Sequence, residues 1–135
     1  MFIDACAIVS IFVGEPDAGS YEAALTSSAS PFTSTLAAWE AILVLARPDK
    51  LNVSFADCEA VVCKWLDERD IELRDAAVSP REVLRLVVSA ATQQGTGKRR
   101  LSSFDCFHYA HAKAAGAPIL TNDRLLRATD VATAP

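Results

Sequence analysis

The stretch that most constrains the fold is residues 101–123, LSSFDCFHYAHAKAAGAPILTND. Ser102 or Ser103 caps a helix whose first turn holds Asp105, where free backbone N–H groups and the positive end of the helix dipole favour an anion. Capping alone also accounts for Asp105. Gly116 ends that helix and Pro118 stops it continuing, so Pro118–Thr121 reads as a short buried strand with Asp123 just past its end. In open parallel α/β sheets, ligands bind in the crevice beyond the carboxyl ends of the strands, and Asp123 falls there.

The other end of the chain supplies a second acid in a similar setting. Residues 1–9, MFIDACAIV, read as a buried strand running straight into a helix, and Asp4 is the only charge before Glu15. A lone carboxylate there is costly unless it is ionised against a partner or a metal. The competing account is that Asp4 caps the helix that follows. Gly14-Glu15-Pro16 breaks that helix, Asp17 to Thr26 forms a second one, and Pro31–Thr35 reads as a strand. In Leu36–Ala46, LAAWEAILVLA, Glu40 is the single polar residue, which predicts a helix buried nearly all round. A glutamate in that position needs a reason, either a shared site or an ion pair with Arg47.

The remaining elements are scaffold. Ser54 and Asp57 form a capping box for a helix with Cys58, Val61, Val62, Trp65 and Leu66 on its apolar stripe. Ile71–Leu73 reads as a strand. Ser79-Pro80-Arg81-Glu82 starts a helix with Val83, Leu86, Val87, Ala90 and Ala91 on one face. Arg124–Arg127 is a helical turn, and Thr129-Asp130-Val131 starts a last edge strand. This alternation predicts one domain over residues 1–135, a right-handed three-layer α/β/α arrangement around a central parallel sheet of four to five strands.

Composition suits a compact soluble protein. With 51% hydrophobic and 22% charged residues, 135 residues can bury a core and are not disordered. No apolar run reaches membrane-spanning length, and MFIDACAIV lacks the basic region of a signal peptide, so a cytoplasmic protein is expected. Cys6, Cys58, Cys63 and Cys106 form no C-x-x-C pair and are expected to be reduced. The net charge of −4 opposes an electrostatic grip on long duplex nucleic acid, although a nuclease that meets phosphate through a bound cation can carry it. Lys98-Arg99-Arg100 is the one basic cluster, read either as a solvated loop or as a guide for phosphate.

If the first strand is central, Asp4 and Asp123 sit at the ends of neighbouring strands, and the helices bearing Glu40 and Asp105 open onto the same crevice. Two like charges 4 Å apart repel by roughly 4 kcal/mol at an effective dielectric of 20, so some acids stay protonated or a cation binds. With oxygen ligands only, Mg²⁺ or Mn²⁺ is the expected occupant. Such an ion acidifies a water and neutralises charge on a phosphodiester, with no nucleophilic serine or cysteine required. His108 and His111 are read as facing water or core, outside the site.

MFIDACAIVSIFVGEPDA, STLAAWEA, LSSFDCFHYAHAKAAGAPILTND and ATDV, in that order, resemble a PIN domain of the VapC type. The resemblance implies a metal-dependent endoribonuclease, the toxin half of a toxin–antitoxin pair. It also implies an RNA substrate, a small VapB-like antitoxin that blocks the acidic site, and a toxin homodimer. By match to the family's motifs, Asp4, Glu40, Asp105 and Asp123 are the four metal-binding and catalytic acids. The chain departs from the family pattern at Cys6, where a serine, threonine or asparagine is usual. It departs again at Thr121-Asn122-Asp123-Arg124, which leaves Asn122 or Asp130 as alternatives to share the role of Asp123. Two other functions compete. One is a catalytically degenerate PIN domain that binds RNA or protein. The other is a phosphotransferase of the haloacid-dehalogenase type, which wants a second aspartate where Cys6 stands.

Overall fold

Phe2 and Ile3 are neighbours in the first strand and point to opposite faces of the sheet, and this alternation divides the core in two. The computed structural model describes residues 1–94 and 100–134. Its strands are β1 (Phe2–Ile3), β2 (Phe32–Thr33), β3 (Glu72–Leu73), β4 (Ile119–Leu120) and β5 (Thr133–Ala134). They form one sheet in the order β3-β2-β1-β4-β5, every pair parallel, with β1 in the centre as expected. The helices are α1 (Ala5–Val13), α2 (Ala18–Thr26), α3 (Thr35–Leu45), α4 (Phe55–Glu68), α5 (Pro80–Gln93) and α6 (Ser103–Ala115).

On one face of the sheet, Ile3 and Leu120 pack with Ile8, Tyr21, Leu45, Val62 and Trp65 from α1 to α4. On the other, Phe2, Phe32 and Ile119 pack with Ala90, Cys106, Tyr109 and Leu126. The result is a three-layer α/β/α arrangement. Register places the site: Ile3 pairs with Leu120, so Asp4 and Thr121 leave the sheet side by side at the carboxyl ends of β1 and β4.

Local chemistry sets the helix ends, as the sequence predicts at Ser54, Ser79, Ser102 and Gly116, while Ser34, expected within a strand, is a cap as well. Ser34, Ser54, Ser79 and Ser102 each accept a hydrogen bond from the backbone N–H three residues on. Gly116 ends α6 at φ 60°, a left-handed conformation that glycine adopts without steric cost.

The structure corrects several expectations. Helix α3 is not buried all round: Trp39 is 42% exposed and stacks obliquely on Phe55, because an apolar sequence does not by itself bury every face. In α5, which covers the outside of α6, only Ala90 of the expected face is buried and Ala91 is exposed, and in α4 Val61 of the expected stripe is exposed. The last edge strand forms at Thr133–Ala134, after residues 129–131. Lys98 and Arg99 of the basic cluster lie outside the described residues, and Arg100 is exposed. All four cysteines are free thiols.

Candidate metal centre

Asp4 occupies the N-cap position of α1 but its side chain caps nothing. Helix capping therefore does not account for it. It is 3% exposed and spends its oxygens inward: Oδ2 accepts from the Thr121 hydroxyl at 2.6 Å and the Cys6 thiol at 3.0 Å. Oδ1 lies 2.9 Å from Nδ1 of His108. The Cys6 thiol thus makes the contact a hydroxyl would make. Burial first, and then the charge of Asp4, push its pKa up to about 12, so it acts as a neutral donor.

His108 is the residue that the sequence reading left outside. Its ring is fully buried against Phe2, with Nδ1 toward Asp4 and Nε2 3.4 Å from Oε2 of Glu40. Neither N–H points along the line to its oxygen, so both ring nitrogens and Glu40 Oε2 are buried without an aligned hydrogen bond. The signal was present in the sequence: His108 follows Asp105 by three residues, on the same face of α6. An i+3 histidine on a core-facing helix has the same signature, and only the position of Glu40 distinguishes the two.

The four expected acids are placed as follows. Asp4 and Glu40 meet at His108, and ligand atoms from these three residues all lie within 4.8 Å of one another. Asp105 and Asp123 are outside that group, but the pKa of Glu40, raised first by burial, is raised further by the charges of Asp4, Asp105 and Asp123. Asp105 also completes a capping box, its Oδ2 accepting from Ser102 N–H at 2.8 Å, so capping and proximity to the site both hold. Asp123 Oδ1 accepts from the N–H groups of Leu125 and Leu126 and starts the 3-10 turn Leu126–Ala128. Among the described residues no lysine or arginine pairs with any of the four acids. The two alternatives are engaged elsewhere: Asn122 donates to Asp17, and Asp130 holds Tyr109 and Lys113, the latter in the last turn of α6.

Electrostatics makes His108 the internal counter-ion. Burial alone lowers its pKa, yet contact with Asp4 and the charges of Glu40 and Asp105 outweigh burial and raise it above 6.5. Burial likewise raises Asp4, but His108, Thr121 and Cys6 together hold it below 3.8. For Glu40, burial is the largest influence and raises the pKa, opposed by His108. The His108 contribution to stability is therefore complete below pH 6.5 and is lost as pH rises through its folded value. The Asp4 contribution is present above 3.8 and is lost as pH falls through its folded value. In chelator, the melting temperature is expected to fall as pH rises above 6.5, and replacing His108 is expected to flatten that slope. Scanning calorimetry across this range checks it.

A divalent cation fits this donor set. Two carboxylates and an imidazole converge with two further acids nearby, and the buried Glu40 oxygen and both imidazole nitrogens have no aligned partner. The carboxylate oxygens suit Mg²⁺ or Mn²⁺, while His108, as the positive partner of the metal-free centre, is not counted among the ligands.

Comparison with known proteins agrees with this architecture. Residues 1–132 match the family described as PIN domain. Ribonuclease VapC of Mycolicibacterium smegmatis is 33% identical, over 98% of this chain and 98% of its own length. Ribonuclease VapC30 of Mycobacterium tuberculosis is 31% identical, over 98% of this chain and 97% of its own. The crystal structure of M. tuberculosis VapC20, described as a sarcin–ricin loop cleaving toxin, superposes with a TM-score of 0.69 at 13% identity, covering 99% of this chain and 98% of that one. With its five-stranded parallel sheet and nearly full-length similarity to those ribonucleases, this chain belongs to the PIN domain family, in its VapC branch.

Proposed function

We propose that the protein is a Mg²⁺- or Mn²⁺-dependent endoribonuclease that acts as the toxin of a toxin–antitoxin pair, with Asp4, Glu40, Asp105 and Asp123 as its working acids. The observation that carries this reading is the convergence of Asp4, Glu40 and His108 at one end of the sheet, with buried donor atoms left unbonded. When bound, the cation supplies positive charge against the scissile phosphate and acidifies the attacking water. The chain's own residues do the rest. Thr121 and Cys6 hold Asp4 Oδ2, leaving Oδ1 turned to the centre. Glu40, whose side chain is 28% exposed, reaches solvent and holds a proton at higher pH than a free glutamate. Asp105 and Asp123 add negative charge that favours a cation and repels RNA phosphate in its absence.

Cys6, which stands where the family usually has serine, threonine or asparagine, donates to Asp4 as a hydroxyl would, which supports the catalytic reading over a degenerate binding module. The whole chain, residues 1–135, acts in this proposal as a single PIN-like domain in the cytoplasm. A VapB-like antitoxin covers the acidic site, and two copies form a homodimer. Exposed Trp39, Phe55, Leu84, Val88 and Phe107 are apolar surface of the kind protein partners cover. No helix among the described residues is long and apolar enough to cross a membrane. Calorimetric titration with Mn²⁺ tests the reading: saturable binding by the wild type that disappears in Asp4→Asn is expected, and equal heats from the two proteins would sink it.

A further inference from the structure

Asp17 stands at the N-cap of α2, where a carboxylate ordinarily accepts from the N–H groups of the first turn. It makes no such bond. One oxygen accepts from the Ser10 hydroxyl at 2.6 Å, and Ser10 is 1% exposed on α1. The other accepts from the side-chain amide of Asn122, 105 residues away in sequence. The Asn122 carbonyl oxygen in turn accepts from Arg127 at 3.3 Å, so both ends of that amide are held. A polar chain therefore runs from α1 through the α1–α2 connection to the segment after β4.

That segment carries the fourth acid. Thr121, before Asn122, is bonded to Asp4, and Asp123, after it, caps the 3-10 turn. Those ties lie within the site or within the turn itself. The Asn122–Asp17 bond anchors the segment to the opposite layer of the fold. We propose that Asp17 is a positioning residue: by gripping Asn122 it fixes the backbone that presents Asp123 to the acidic centre. The proposal rests on the reading of Asp123 as part of that centre. Asp17 is also held as an anion below the ordinary aspartate range, first by the Ser10 hydrogen bond, against desolvation, and with help from Asn122 and Tyr21.

The test uses the full chain with Asp17→Ala and Asp17→Asn, the latter keeping one acceptor oxygen. Native-state hydrogen exchange is read at the Leu125 and Leu126 amides, and Mn²⁺ affinity by calorimetry. Asp17→Ala is expected to speed exchange at those two amides while the α2 interior stays protected, and to weaken Mn²⁺ binding about tenfold, with Asp17→Asn losing less. In an Asp123→Ala background, Asp17→Ala is expected to cost no further Mn²⁺ affinity. Unchanged exchange at Leu125 and Leu126, or an equal cost with and without Asp123, would overturn the proposal. If the wild type takes up no Mn²⁺, the ribonuclease reading falls separately and the exchange measurement alone decides the role of Asp17.

Discussion

Asp4→Asn is expected to reduce metal-dependent RNA cleavage to background and to abolish growth inhibition on expression, with the fold intact. Asparagine has the size of aspartate and keeps an oxygen to accept from Thr121 and Cys6, so the packing around β1 survives. What goes is the negative charge buried nearest His108. A cation is worth several kcal/mol of transition-state stabilisation, so its loss corresponds to a fall in rate on the order of a thousandfold. Asp105→Asn is expected to act in the same direction, since asparagine can keep the capping box while losing the charge. The measurement is cleavage of an RNA substrate with Mg²⁺ or Mn²⁺, alongside circular dichroism to verify folding. Undiminished cleavage by either variant contradicts the assignment of the acids.

His108→Leu is expected to be the most destabilising single change at this centre in the absence of metal. The imidazole is fully buried between two carboxylates, and contact with Asp4 and the charges of Glu40 and Asp105 favour its positive form against burial. Removing one partner of a buried ion pair costs about 3–5 kcal/mol, because the remaining charge is left uncompensated. For a chain of this length that corresponds to a drop in melting temperature on the order of 10 °C. Without His108 the burial of Asp4 acts unopposed by its main counter-charge, so its pKa rises. The variant should therefore recover stability as the solution is acidified through that raised value. Mn²⁺ should also recover part of the loss, since a cation replaces the missing charge and binds the folded state alone. Thermal unfolding in chelator and in Mn²⁺ distinguishes this from simple loss of core volume, which neither acid nor metal would repair.

The elements that sequence reading located share one property: their signals are local. Ser102, Asp105, Gly116 and Pro118 lie within 17 residues and by themselves set a helix start, a helix stop and the strand after it. The Phe2–Ile3 strand and the isolation of Asp4 were equally plain. Sequence reading overestimated the burial of α3, α4 and α5, because a run of apolar residues states what a helix can bury and not which neighbours will cover it. Trp39, Val61 and Ala91, each placed on an apolar face by its sequence, are exposed.

Sequence by itself determined the α/β class and singled out Asp4, Glu40, Asp105 and Asp123 as candidate acids. Each follows from residue type, spacing and charge along a short stretch, with the order of motifs along the chain adding the family resemblance. Only tertiary structure decided that His108 stands between Asp4 and Glu40, that Thr121 and Cys6 share one oxygen of Asp4, and that Asp130 turns away to Lys113. Asp4 and Thr121 are 117 residues apart, and their meeting depends on the parallel register of β1 and β4. Such contacts are fixed by how sheet and helices pack, and no local pattern carries that information.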